Sequence, residues 1–272
     1  MTRQVANFDR LTRRVCLTGH IRTVSALRIG KGRDDDGSGA SDLPVLVDAQ
    51  GFPFLPGGSI KGVIRATAES LVRSVSQGKD SGLWSCDPHN EREGGACGYH
   101  THDGRKDAKK DVESSCTICR LFGSRMVASH VRFTDALLER PADGRPPIER
   151  RDGVAIDRDL GIVFDKQKYD FEVVSPGARF KLEVFIDNPE DALLGLLVLA
   201  FDQLDDGFSG LGGFTTRGLG RVAIDWHKLT DLDVARLFAD PEAQADETDA
   251  ATLRTRFTTW RAALARLYQE TR

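Results

Sequence analysis

The sequence predicts an α+β fold, and three observations carry that reading. Arg179-Phe180-Lys181-Leu182-Glu183-Val184-Phe185-Ile186 alternates strictly, as a half-buried strand must. From Ser59 the pattern turns helical, with Ile60, Ile64, Ala68, Leu71, Val72 and Val75 recurring at spacings of four and three. Strand and helix signals then alternate along the chain, in the order strand, helix, strands, strand, helix, loop, strand.

The elements follow in turn. Residues 15–29 (Val15, Leu17, Ile21, Val24, Leu27, Ile29) read as a strand with partial alternation. Gly30 to Ser41, with Asp34-Asp35-Asp36, is a polar loop. Pro44-Val45-Leu46-Val47 and Phe52-Pro53-Phe54-Leu55 suggest a short hairpin around Asp48-Ala49-Gln50-Gly51, and Ser59 is placed as the N-cap of the helix that follows. Residues 80–115 carry few aliphatic side chains, so something other than an apolar core is expected to hold that insertion together. Val131-Arg132-Phe133 is a short strand, 141–147 a loop and 150–175 an extended hairpin. Asn188-Pro189 opens a helix to about Leu204, because proline suits a first turn. A strand at Arg221–Trp226 and an amphipathic helix through Leu253, Phe257, Trp260, Leu264 and Leu267 end the series. The order is that of a ferredoxin-like unit with insertions. Trp84, Trp226 and Trp260 are read as packing residues, and Cys16 as a buried small hydrophobe.

At 272 residues the chain can bury a full core. No run of eighteen apolar residues suggests a membrane span, and Met1–Asn7 lacks the apolar stretch of a secretory signal. Five cysteines, four of them clustered, fit a reducing cytoplasm better than a disulfide framework. The net charge of −3 hides an asymmetry: residues 231–250 alone carry −6, leaving +3 on the rest. A mildly basic body can still present a basic groove.

Two glycine-rich segments hold most of the chemistry. Pro56-Gly57-Gly58-Ser59-Ile60-Lys61-Gly62 with Arg65, and Gly210-Leu211-Gly212-Gly213-Phe214-Thr215-Thr216-Arg217-Gly218-Leu219-Gly220-Arg221, each combine glycines, hydroxyls and a fixed cation. Glycine lets main-chain N–H groups approach an anion, and a helix N-terminus adds partial positive charge. Neither has the Gly-Lys-Ser/Thr spacing of a nucleotide hydrolase, which favours a polynucleotide over a mononucleotide. Ser59, Lys61, Arg65, Gly212, Gly213, Thr215, Thr216, Arg217 and Gly218 are the candidate phosphate contacts. The plain alternatives are an exposed helix face for Lys61 and Arg65 and a solvated loop arginine for Arg217.

Cys86, Cys97, Cys116 and Cys119 are separated by ten, eighteen and two residues, and the closing Cys-Thr-Ile-Cys is a tight knuckle suited to tetrahedral zinc. Four protein ligands close the site, so the metal would be structural. His89, His100 and His102 lie in the same segment and offer substitutes for one thiolate. Lys106, Lys109 and Lys110 read as a solvated face.

These two glycine segments, together with Arg151-Asp152-Gly153-Val154-Ala155-Ile156-Asp157-Arg158, resemble the RAMP superfamily over residues 15–226. More narrowly, they resemble the repeated backbone subunit of type III CRISPR effector complexes, in a zinc-bearing subgroup. The resemblance implies one domain over residues 1–272 with a modified RNA-recognition fold. It implies a protruding thumb hairpin at 145–178, to which the residues themselves add a zinc-binding insertion at 80–120, a departure from the best-known members, and an acidic segment plus C-terminal helix at 231–272. It further implies a cytoplasmic particle in which copies of the chain and other subunits stack along a guide RNA. Many members cut the paired, complementary target RNA. In cutting members an aspartate precedes the proline of a short strand leading into the Pro-Gly motif. Here Ser41-Asp42-Leu43-Pro44 fits, making Asp42 the catalytic candidate, with magnesium or manganese for cleavage. Asp42 as a mere loop acid beside Asp34, Asp35 and Asp36 is the alternative. Val154 and Ile156 of the thumb would wedge between bases or fill a strand core. A non-cutting scaffold subunit shares both glycine loops. A guide-processing endoribonuclease of the same superfamily would need a base, for which His20 is the candidate in the N-terminal half. A zinc enzyme unrelated to RNA would need an open metal position, which four cysteines deny.

Overall fold

The structure, a computed structural model, describes residues 10–30, 41–90, 96–97, 114–125, 127–240, 242 and 244–271. Asp34 to Asp36, His100, His102, Lys106, Lys109 and Lys110 therefore lie outside the described residues.

The first strand, β1, runs Arg13–Thr23, starting earlier and stopping sooner than the apolar run 15–29 predicts. Beyond Thr23 the N–H groups of Val24 and Ser25 both donate to Arg221 O, at 2.9 and 3.1 Å, and turn the chain away. Leu27 keeps its apolar role by bridging to Val174. The hairpin expected around Asp48 shrinks to a single bridge, Val47 to Pro53, because Pro53 offers no N–H to a ladder. Strand β2 (Phe54–Leu55) pairs instead with β4 (Ala136–Leu137).

Helix α1 (Gly57–Val75) buries Ile60, Ile64, Ala68 and Val72, the face that the spacing predicts. Its N-cap is Pro56 rather than Ser59: a proline φ of −59° already suits the first turn, and Ser59 is exposed with its N–H donating to Pro56 O. Helix α2 (Thr117–Phe122) follows, then β3 (Val131–Phe133), β4, β5 (Ile148–Ile156), β6 (Val163–Val174) and β7 (Arg179–Asp187). Helix α3 (Asp191–Asp205) begins two residues past Pro189. Asn188 takes a left-handed φ of 48°, and its Oδ1 accepts from Thr12 N, Thr12 Oγ1 and Arg13 N, tying the helix entry to the start of β1.

Strand β8 spans Val222–Asp233, twice the length expected. The acidic stretch is correspondingly well built. It forms the end of β8, helix α4 (Val234–Ala239) and strand β9 (Asp246–Asp249) before α5 (Ala250–Glu270). Arg13 pairs with Asp231, Arg236 with Asp246 and Lys228 with Glu247, so part of that charge is answered locally.

The main sheet has the order β3-β7-β1-β8-β9, antiparallel throughout. With α1 after β1 and α3 after β7, its first four strands trace the β-α-β-β-α-β path of a ferredoxin-like unit, and β9 extends the edge. Val15, Leu17 and Ile21 of β1 and Phe180, Leu182, Val184 and Ile186 of β7 point to one face. There they join the buried sides of α1 and α3 in one core, over which α5 lays Leu253, Trp260 and Leu267. Each such side chain is worth about 1.5–3 kcal/mol of burial. Trp84 and Trp226 pack against this core, half-buried. Cys16 departs from expectation. It sits among the alternate residues of β1, only half-buried, and desolvation pushes its thiol up to about 11.

Hairpin β5–β6 forms its own two-stranded sheet, bridged to the chain before it through Leu27–Val174 and Leu43–Phe171.

Candidate functional site

Strand β6 organises the site because successive side chains leave it on opposite faces. Tyr169 and Phe171 point one way, Asp170 and Glu172 the other. On the second side lies the segment carrying Asp42. The Asp42 N–H donates to Asp170 Oδ1 at 2.8 Å, and the Asp170 N–H donates to Asp42 Oδ2 at 3.0 Å. Leu43 bridges to Phe171, Glu172 N–H donates to Leu43 O, and Val45 N–H donates to Glu172 Oε2. Asp42 itself is exposed, as the extended geometry before Pro44 predicts. One carboxylate oxygen takes the Asp170 N–H, and among the described residues the other has no hydrogen-bond donor. Asp170 Oδ2 is paired with Arg150 of β5, which holds the Asp170 carboxyl down at about 2.

On the other side of β6 lies the long glycine loop. Phe171 meets Phe214 edge-on, centroids 5.2 Å apart, and the Arg217 Nη1 donates to Tyr169 Oη at 2.9 Å. Arg28 and Arg217 both stand over the Phe214 ring, at 5.2 and 5.0 Å from its centroid. Among the described residues neither guanidinium has a carboxylate partner. Burial pushes Arg28 down, the mark of a cation short of counter-charge. The loop backbone is bolted to the chain after β1: Gly213 N–H donates to Arg28 O and Gly220 N–H to Ala26 O, each at 2.8 Å. Gly212 has a φ of 83°, and a Cβ there would stand 2.3 Å from Arg28 O, so no other residue fits this bend.

This changes how the loop can hold an anion. The sequence offers its main-chain N–H groups, but Gly213 spends its N–H on Arg28 O and Gly218 spends its own on Thr215 O. What the loop exposes is Thr215, Thr216, Arg217 and Gly218 at its crest. The first motif behaves similarly. Gly57 N–H donates to Asp135 Oδ1 at 2.8 Å, so a protein carboxylate already answers that helix end. Lys61 is half-buried, its Nζ donating to Ser129 Oγ at 2.7 Å, and burial pushes it down. Arg65 turns inward: Nε donates to Glu69, Nη1 to Gly123 O at 3.1 Å, and Nη2 lies 4.0 Å from Cys119 Sγ. Val154 and Ile156 are exposed on the thumb rather than core, with Leu160 and Ile162 exposed near the tip.

The cysteine expectation becomes a single cluster. The sulfurs of Cys86, Cys97, Cys116 and Cys119 all lie within 4.8 Å of one another, and Cys86 and Cys119 are 3.6 Å apart. Four thiolates about 2.3 Å from a central tetrahedral ion would stand about 3.8 Å apart, so the set fits one. Cys116 caps α2, its sulfur accepting from Cys119 N–H at 3.3 Å, which places two ligands on one turn. Hydrogen bonds led by Cys116 push the Cys86 thiol down and the Cys119 thiol up. Four such groups cannot all ionise together without a cation. The cluster can bind a metal ion. The insertion is less independent than its composition suggests, because Leu83, Cys86, Cys116, Ile118, Cys119, Leu121 and Phe122 all join the main core. His89 is exposed.

His20 lies on β1 against His227 and Glu139, with Arg179 bound to the same carboxylate.

Sequence reasoning missed Asp170, Arg150, Arg28 and Tyr169. The alternation of Tyr169-Asp170-Phe171-Glu172 was a usable signal for two faces; Arg28 had none. No helix among the described residues is long and apolar enough to cross a membrane.

A curated relative from Methanocaldococcus jannaschii, "CRISPR system Cms endoribonuclease Csm3", is 28% identical over 220 residues, covering 77% of this chain and 77% of that protein. One of the same name from Methanothermobacter thermautotrophicus is 26% identical over 251 residues, covering 83% and 89%. Residues 20–223, from β1 into β8 and through both glycine segments and Asp42, match the family model described as the RAMP superfamily, and the chain belongs to that superfamily.

Proposed function

We propose that this chain is a guide-RNA-binding backbone subunit of a type III CRISPR effector complex that cleaves the paired target RNA through Asp42. One observation carries the reading: an exposed carboxylate, Asp42, is fixed to the root of the thumb hairpin, whose opposite side meets the arginine-bearing glycine loop. A strand that touches both is suited to hold an RNA backbone on one side and a reacting phosphodiester on the other. The names of the two archaeal relatives support the endoribonuclease activity.

Thr215, Thr216, Arg217 and the Gly212-Gly213 bend, with Gly218, are read as the guide contact, joined by Ser59 and Lys61 at the start of α1. Arg65, behind Lys61, links that helix to the cysteine cluster. Val154 and Ile156 are the apolar residues offered to bases. The described elements are one RAMP domain with the insertion 80–120, the thumb 145–178 and the segment 231–272 as additions. The metal of Cys86, Cys97, Cys116 and Cys119 is zinc, closed and structural. Magnesium or manganese at the free oxygen of Asp42 would neutralise charge on the phosphate. Asp42 orients the 2′-hydroxyl of the neighbouring ribose, whose attack leaves a 2′,3′-cyclic phosphate. Partners are the guide, the complementary target, further copies of the chain and other effector subunits, in the cytoplasm.

A non-catalytic scaffold is the second reading, favoured by the hydrogen bonds that tie Asp42 to Asp170. Imaging of the complex purified with its RNA tests the shared part of both readings. Copies of this chain repeating along one guide are expected; a single copy per RNA contradicts both.

A further inference from the structure

Arg150 stands beside the proposed catalytic carboxylate without belonging to any motif in the sequence. It leaves β5 towards Asp170, and that ion pair engages one nitrogen of its guanidinium. The side chain remains 58% exposed, and the single ion pair leaves further N–H donors of the guanidinium for a ligand. It is close enough to Asp42, Asp152 and Asp170 to feel the charge of all three. Asp152 is itself answered by Lys168 at 3.2 Å. Asp170 thus holds two groups at once: the Asp42 main chain through Oδ1 and the Arg150 guanidinium through Oδ2. A carboxylate and an arginine held by one anchor are the two components that phosphodiester cleavage needs, a group for the hydroxyl and a cation for the phosphorane.

We infer that Arg150 is a catalytic residue that binds a non-bridging oxygen of the scissile phosphate, and that Asp170 is the positioning residue which sets its distance from Asp42. The inference rests on the cleavage reading above. In the step itself, the ribose 2′-oxygen forms a bond to phosphorus as the P–O5′ bond breaks. The 2′ proton passes to the Asp42 carboxylate and on to solvent, and the departing O5′ takes a proton from water. The Arg150 guanidinium is planar and rigid, with adjacent N–H donors matched to phosphate oxygens, and it stays charged throughout. Its proper place is the equatorial oxygen on which negative charge accumulates.

The test is single-turnover cleavage of target RNA by the assembled complex carrying Arg150→Ala, Arg150→Lys or Asp42→Ala. Two target RNAs are compared, one with normal phosphate and one with a phosphorothioate at the cut position. Arg150→Ala is expected to slow cleavage on the order of a hundredfold, the usual cost of removing one charge-stabilising donor, with target affinity unchanged. Arg150→Lys should recover part of the rate. The sulfur substitution should slow the wild type more than Arg150→Ala, since the variant no longer has a guanidinium at that oxygen. Wild-type cleavage by Arg150→Ala overturns the inference. So does a slowed variant with an undiminished sulfur effect, which would mark Arg150 as merely structural. If Asp42→Ala is inactive while Arg150→Ala is normal, only this inference fails; if Asp42→Ala cuts normally, the cleavage reading itself fails.

Discussion

Asp42 and Asp170 hydrogen-bond to each other twice, each main-chain N–H donating to the other's carboxylate, although 128 positions separate them in sequence. The segment carrying Asp42 and the second strand of the β5–β6 hairpin are joined at this point.

The Arg150–Asp170 ion pair gives this junction a pH range. The folded-state value of Asp170, about 2, lies below its ordinary value, so the pair adds stability above the ordinary range and loses it as pH falls towards 2. An NMR titration should find the Asp170 carboxyl still ionised at about pH 3, between its folded and ordinary values. A midpoint near the ordinary aspartate value would show that the pair does not form in solution.

The cysteine cluster predicts about one zinc per chain in purified protein. Cys119→Ser should lower that content and the thermal stability together, because Cys119 and Cys86 are buried in the main core. Arg65→Ala should do so more weakly, through its contacts with Gly123 and Cys119. A metal-free variant that melts like the wild type and loses only cleavage would make the site catalytic.

Gly153 predicts a defect that a motif alone does not explain. A Cβ there would lie 2.3 Å from the Tyr169 ring, which covers the glycine across the β5–β6 ladder. Gly153→Val should displace Tyr169, break its hydrogen bond to Arg217 and weaken guide binding while leaving the core intact. Gly212→Ala, forced into a left-handed φ worth about 1–2 kcal/mol and against Arg28 O as well, should cost more than that conformational term alone. Guide affinity unchanged in both variants would remove the glycine loop from the interface.

Lys61→Ala combined with Arg217→Ala should weaken binding of every guide sequence alike. On single-stranded RNA the slope of log affinity against log salt should become shallower by about 0.7 for each phosphate that is no longer neutralised. An unchanged slope, or weakening confined to one guide, counts against phosphate binding at these residues.

Much of this was legible in the sequence, for reasons that differ by element. Periodicity located α1 and β7 because one buried face imposes it, and the clustered cysteines pointed to the sulfur cluster that can bind a metal ion because metal chemistry restricts ligand types. The limits of β1 were not legible, since Leu27 is apolar for packing on Val174 and not for pairing. Nor was the inward turn of Arg65, because a cation beside a glycine motif looks the same whether it meets phosphate or a cysteine cluster. Asp170 and Arg150 were hidden for another reason. Their partnership with Asp42 exists only after the thumb has folded back onto the first loop.

Whether Asp42 cuts RNA is tested most directly by Asp42→Ala in the assembled complex. The carboxylate is exposed, and its removal takes away one hydrogen bond, from Asp170 N–H, while the Asp42 N–H bond to Asp170 needs no Asp42 side chain. Cleavage of target RNA with magnesium or manganese should fall by about a hundredfold or more, the usual contribution of a positioned acid–base or metal-binding carboxylate, while guide and target affinities stay near wild type. Cleavage by Asp42→Ala at the wild-type rate would contradict the assignment.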